Sequence, residues 1–244
     1  MGFFCRSSVT VHYFARMSAM GLERFDEIAA LFDRVTETRL HWRLRCGATA
    51  PLRPVAGRTV LDLGTGPGGL ARDLVQQGAQ VVGLDGAPEM LQRARRRIQR
   101  AGQEASVALV QGDAMHIPLA DDSVSDVAGL LVLHLLKDPA AALRECGRVL
   151  RPGGRLALVT QSDDFAADAA GRLDQPLEQL EKDFLQGCHG SAESHPRRDR
   201  QAWREVFQVA GLPVPTITHV VPGVAWLLFA RLPDGREDFT GEPT

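Results

Sequence analysis

The ten residues from Val60 to Gly69 restrict the fold more than any other stretch, because an apolar run breaks there into Gly64, Gly66, Gly68 and Gly69. Thr59–Leu63 reads as a short buried strand. The residues after the glycines have helical spacing, with Leu70, Leu74 and Val75 on one face and Gly78 where a left-handed C-cap is wanted. The local pattern is strand, tight turn, helix. Glycines let a ligand approach the main chain, and the first turn of a helix offers unpaired N–H groups to it. A nucleotide-like cofactor is therefore expected over the turn formed by Gly64, Thr65 and Gly66.

Spacing alone does not choose the cofactor, since Gly64, Gly66 and Gly69 also satisfy the dinucleotide fingerprint. Asp62 argues against a dinucleotide. A carboxylate two residues before the first glycine repels a pyrophosphate, whereas S-adenosylmethionine brings an ammonium group that can use the charge. The plainer role for Asp62 is to brace the turn through backbone hydrogen bonds, which suits either cofactor. Asp85 closes a second buried strand, Gln80–Asp85, about twenty residues past the turn, where a carboxylate can accept ribose hydroxyls. That position fits any nucleoside.

The rest of the chain repeats the alternation. Pro88 opens a helix to about Arg100 with Met90, Leu91, Ala94 and Ile98 inward; its five arginines then form the solvated remainder. Residues 107–110 are a third strand, leading to Asp113 and Ala114, where an acid and free backbone groups can read an adenine edge. A fourth strand over 124–133 finishes at His134. Asp138 and Pro139 cap a helix through Val149, and residues 155–160 form the fifth strand after Pro152, Gly153 and Gly154. Strands alternating with helices mean a doubly wound, Rossmann-like α/β sheet with ligands at the carboxyl ends of the strands. Beyond it lie a helix over 199–210 and two final strands over 214–221 and 224–231, joined by Pro222 and Gly223.

Four segments in this order resemble the class I S-adenosylmethionine-dependent methyltransferases. They are VLDLGTGPGG (60–69), VVGLDGAPEML (81–91), QGDAMHIPLADDSVSDV (111–127) and LHLLKDPAAALRECGRVLRPGGRL (133–156). The pattern is similar to the small-molecule branch that includes the ubiquinone and menaquinone methyltransferases. The resemblance implies a seven-stranded, mostly parallel sheet whose last strand is antiparallel. It also implies S-adenosylmethionine as cofactor, with Asp62, Gly64 and Gly66 around the methionine portion, Asp85 on the ribose, and Asp113 with Ala114 at the adenine. The RVLRPGG segment would be structural. One position departs from the family: Gly86 stands where a bulky apolar residue normally walls the adenine, with Met90 and Met115 the nearest candidates to fill the gap.

Methyl transfer from a sulfonium needs little beyond a positioned nucleophile and, for a neutral oxygen or nitrogen, a base. His134 is the candidate base, with packing or a local hydrogen bond as its plainer role. Cys188, His189 and His195 have no zinc spacing. The expected acceptor is a small, partly apolar metabolite. A net charge of −2 gives no general pull towards nucleic acid, no apolar run is long enough to span a membrane, and the scattered cysteines suit a reduced, cytoplasmic protein of unspecified oligomeric state. Two other classes stay open: an NAD(P)-dependent oxidoreductase using the same turn, and a non-catalytic S-adenosylmethionine-binding partner subunit.

The chain's ends and insertion complete the expected organisation. Residues 1–20 lack acids and carry Arg6 and Arg16, as transit segments do, but are read as a disordered extension or as preceding a true start at Met17 or Met20. Residues 21–50 form a helical cap with Phe25, Ile28, Ala29, Phe32 and Val35 at helical spacing. Residues 51–232 form the methyltransferase domain, interrupted by a lid-like insertion over 161–198 with a helix over 177–185, and 233–244 are a tail.

Overall fold

The computed structural model describes residues 23–163, 178–190 and 197–235. The expected extension, the middle of the insertion and the end of the tail fall outside the described residues. One sheet of seven strands organises the rest: β1 (Thr59–Leu63), β2 (Gln80–Asp85), β3 (Val107–Gln111), β4 (Val124–Leu130), β5 (Leu150–Gln161), β6 (Thr216–Val221) and β7 (Ala225–Arg231). Their order is β3-β2-β1-β4-β5-β7-β6. The first five strands run parallel, and β7 lies antiparallel between β5 and β6. From β1 the chain winds outward through β2 and β3, then returns to β4 on the other side. The switch point, where such sheets bind ligands, thus falls between β1 and β4.

Helices cover both faces. On one lie α1 (Glu23–Val35), α2 (Arg39–Thr49), α3 (Gly69–Gln76) and α4 (Pro88–Arg100); α5 (Pro139–Val149) and α7 (Arg200–Val209) pack on the other, and α6 is Gln179–Gly190. Leu40, Leu44 and Ala48 of α2 share one core with Leu70 and Leu74 of α3, while Leu143 and Cys146 of α5 share a second with Trp203 and Phe207 of α7. Local sequence sets the helix starts. Asp138 accepts from the Ala141 N–H at 2.9 Å with Pro139 in the first turn, and Asp199 accepts from the Ala202 N–H at 2.7 Å.

Three boundaries differ from the sequence pattern. The fourth strand stops at Leu130 because Leu131 turns left-handed (φ 55°), its N–H donating to the Val159 carbonyl at 2.8 Å. His134 consequently rides on a short 3-10 turn, Leu133–Leu135, instead of closing the strand. The fifth strand begins early: Leu150 pairs with Val124 and Arg155 with Asp126, so residues 151–154 bulge outward opposite Ser125. The helical cap is two helices, broken at residues 36–38, the second running to Thr49.

α6 docks on the first two helices. The buried Glu181 carboxylate accepts from the Leu40 N–H at 2.7 Å, in the first turn of α2, and from the Glu178 N–H at 2.9 Å. Beside it, Phe184 meets His41 edge-on at 5.1 Å and Phe32 of α1 at 6.3 Å.

Near the amino end of the central strand β4, Asp126 is fully buried between two guanidinium forks. Arg155 donates to it at 2.7 and 2.9 Å, and Arg58, just before β1, donates to both of its oxygens. Asp126→Ala would leave both arginines without a carboxylate partner. It should lower unfolding stability by roughly 2–4 kcal/mol in urea, below the range for a fully buried pair because Arg58 is partly exposed to solvent. An unchanged urea midpoint would mean that water replaces the carboxylate at no cost.

Candidate active site

The carboxyl ends of β1, β2 and β3 converge on the glycine turn. Gly64 and Gly66 are both left-handed, with φ of 66° and 51°. At Gly64 a side chain would also collide with Val132, whose Cγ2 lies 2.6 Å from the place of a Cβ, whereas at Gly66 only Phe32 comes near, at 3.9 Å. The turn thus needs glycine at both positions, and α1 lies over it.

Two carboxylates hold the turn. Asp62, fully buried, accepts from the Thr65 hydroxyl at 2.7 Å. This contact runs through a side-chain hydroxyl, where a bracing role was expected to use backbone hydrogen bonds. Burial pushes the Asp62 carboxyl up to about 7, with the Thr65 bond opposing and the nearby Asp85 charge adding to the rise. Burial thus disfavours the ionised form of Asp62, which weakens its expected repulsion of a pyrophosphate. Its Oδ1 is buried and has no hydrogen-bond partner among the described residues. Asp85, at the end of β2, accepts from the Gly66 N–H at 2.8 Å and from the Ala87 N–H at 2.9 Å, while Thr65 N–H donates to the Leu84 carbonyl.

The other expected residues are spread around this centre. Gly86 follows Asp85 directly, and its carbonyl accepts from the Gln111 amide at 3.4 Å. Met90 is buried with Ala29, Phe32 and Ala87, the residue directly after Gly86, where the inward stripe of α4 meets the first helix. Asp113 accepts from the Met115 N–H at 2.9 Å and faces His116 at 3.4 Å, forming a tight turn after β3; Ala114 and Met115 pack against the second core. The Gly112 N–H donates to the Asp85 carbonyl at 3.0 Å, which ties that turn to β2. His134 stands apart on the β4 side, half-buried, with its Nδ1 3.5 Å from the hydroxyl of the buried Thr160. Asp62, Thr65, Gly66 and Asp85 are joined by hydrogen bonds; His134 is not part of that network.

His41 escaped the sequence reading. It is buried edge-on to Phe32 and Phe184, neither ring nitrogen meets a hydrogen-bond partner among the described residues, and burial beside Arg45 and Arg97 lowers its pKa to about 3. Its position on an amphipathic helix carries no signal that separates it from a surface histidine. Among the described residues no cluster of His, Cys, Asp and Glu could hold a metal ion, and no helix is long and apolar enough to cross a membrane.

Residues 61–158 match a family model described as a methyltransferase domain. Among relatives, an uncharacterized methyltransferase of Mycobacterium tuberculosis is 48% identical over 113 residues, covering 46% of this chain and 44% of that protein. A demethylmenaquinone methyltransferase of Clavibacter sepedonicus is 38% identical over 140 residues, 55% of each chain. The chain spans about half the length of these curated relatives. An Aquifex aeolicus S-adenosylmethionine-dependent methyltransferase superposes with a TM-score of 0.63 at 19% identity, over 82% of this chain and 97% of that one. The fold is thus that of the S-adenosylmethionine-dependent methyltransferases, and the matched domain contains every residue of the hydrogen-bonded network.

Asp62 and His41 make opposite contributions to stability. Unfolded, Asp62 loses its proton near pH 4 while the folded domain holds it to about 7, so its contribution is present below pH 4 and lost as pH rises towards 7. Unfolded His41 takes a proton below its ordinary value of 6.5 while the folded form refuses it down to about 3, so its contribution is lost as pH falls below 6.5. The melting temperature of Asp62→Asn relative to the parent should therefore climb from pH 5 to pH 8, and that of His41→Leu should climb from pH 8 to pH 5. Parallel profiles for all three proteins would refute both burial assignments.

Proposed function

We propose that this chain is an S-adenosylmethionine-dependent methyltransferase that transfers a methyl group to an O, N or C nucleophile of a small, partly apolar metabolite. The observation that carries the reading is the orphaned Asp62 Oδ1, a buried acceptor beside a left-handed glycine turn. An ammonium group fits it, since it would satisfy the oxygen and favour the ionised carboxylate, whereas a pyrophosphate could offer no donor. The names of the relatives, a demethylmenaquinone methyltransferase among them, support a small acceptor.

S-adenosylmethionine, when bound, supplies a sulfonium methyl already activated for in-line attack. The chain's part is to bind and orient. Asp62, Gly64, Thr65 and Gly66 would hold the amino-acid end. Each Asp85 oxygen accepts an N–H, and a carboxylate oxygen can take a second donor such as a ribose hydroxyl. Gly86, Met90, Asp113 and Ala114 would border the adenine, with Gln111 beside Gly86. Phe32 over Gly66 limits water at the turn. His134, across the switch point, would take the proton of a neutral acceptor.

S-adenosylhomocysteine should bind in calorimetry and NADH should not; comparable NADH binding would favour the oxidoreductase alternative. Asp85→Ala should weaken S-adenosylhomocysteine by roughly 1–3 kcal/mol, the range for a lost charged hydrogen-bond acceptor. The Asp62 pairing has its own signature. An ammonium at Oδ1 lowers the Asp62 pKa, so binding below about pH 7 must release a proton, and affinity should fall by up to roughly tenfold per unit of acidification. Calorimetry in buffers of different ionisation enthalpy reads the proton directly. No released proton, with affinity flat to about pH 5.5, would separate Asp62 from the cofactor.

A further inference from the structure

A second cleft, of about 720 Å³, lies behind the helical cap, between the α1–α2 junction, the outer face of α4 and the start of α6. None of its lining residues belongs to the strand ends that form the candidate active site. Seven arginines and three carboxylates line it, a positive excess of four on a chain whose net charge is −2. Arg93, Arg96, Arg97 and Arg100 recur at three- and four-residue steps, so α4 presents them as one stripe, and Arg34 and Arg39 face them from the cap. The sequence pattern had assigned the α4 arginines to solvent.

Asp33 engages Arg93 and Arg97, Glu37 engages Arg72 and Arg97, and Asp73 also pairs with Arg72, so three carboxylates are shared among three of the seven arginines. The Arg93 Nε is buried and has no hydrogen-bond partner among the described residues. Arg96 and Arg100 stay exposed, with Gln92 the neighbour of Arg96 at 2.8 Å. Guanidinium groups stay charged throughout the accessible pH range, and their planar forks match phosphate oxygens two at a time. The cleft volume is that of a small-molecule site. We propose that this cleft binds a small di- or triphosphate, gripped between the α4 arginine stripe and the arginines of the cap. A nucleic-acid strand is the poorer fit, because the excess charge is confined to one concavity and the whole chain is acidic.

The inference does not depend on the proposed methyl transfer and is tested separately. The full chain is titrated with inorganic tripolyphosphate at low salt and again at about 0.15 M salt. One saturable site per chain is expected, weaker in salt and much weaker for orthophosphate. Arg96→Glu combined with Arg100→Glu should weaken tripolyphosphate at least about tenfold, the loss of one charge-assisted hydrogen bond, with S-adenosylhomocysteine affinity unchanged. Should that variant fail to fold, Arg96→Gln with Arg100→Gln should reproduce the loss. No saturable binding at low salt, or equal binding by the folded variants, would overturn the proposal. So would tighter binding of a short DNA duplex that the same substitutions abolish, which would make this face a nucleic-acid surface.

Discussion

The architecture of the site depends on one carboxylate bridging two loops. Asp85 stands at the end of β2, yet one of its oxygens holds the Gly66 N–H of the turn after β1 and the other holds the Ala87 N–H at the entry to α4. A charged acceptor between two backbone donors is stronger than a neutral hydrogen bond, and it extends the tie between the two strands beyond their last paired residues, Leu63 and Leu84, into the turn. Asp62 performs the matching task from within β1, through Thr65. The turn is therefore shaped before any ligand arrives, which reduces the ordering cost of binding.

Above this rigid base the covering elements are joined to one another. Phe32 reaches the turn from α1, His41 lies behind it on α2, and Phe184 completes the aromatic contact from α6. Glu181 adds a hydrogen bond from α6 to the first turn of α2. Residues nearly 150 positions apart thus form one roof. Any displacement of α6 would also expose the unpaired backbone at the start of α2, so these parts are energetically coupled.

Much of the fold was legible because its signals are local. The glycine cluster, the acids at strand ends and the proline-led helices each report on a few neighbouring residues, and all indicate the same parallel sheet. The misreadings occur where local pattern is silent. Residues 127–136 are almost uniformly apolar, so nothing in the sequence betrays the left-handed Leu131 that ends β4 and moves His134 onto a turn. Helical periodicity identified the inward stripe of α4 but could not say what faces its other side. Met90 meets the first helix beside Ala87, and Arg93 and Arg97 pair with acids of the cap while Arg95, Arg96 and Arg100 stay exposed. The unpaired oxygen of Asp62 was equally hidden, since burial is a property of the assembled layers.

The antiparallel β7 decides where the chain leaves the domain. Arg231, its last residue, pairs with Arg155 near the start of β5, and the Pro233 carbonyl accepts from Gly153 in the bulge below. Residues 232–235 therefore leave β7 at the amino ends of the parallel strands, away from the glycine turn, while Phe32 near the end of α1 lies at the turn. A surface linker joined at Gly235 would hold the domain by the end that carries none of the candidate cofactor-binding residues.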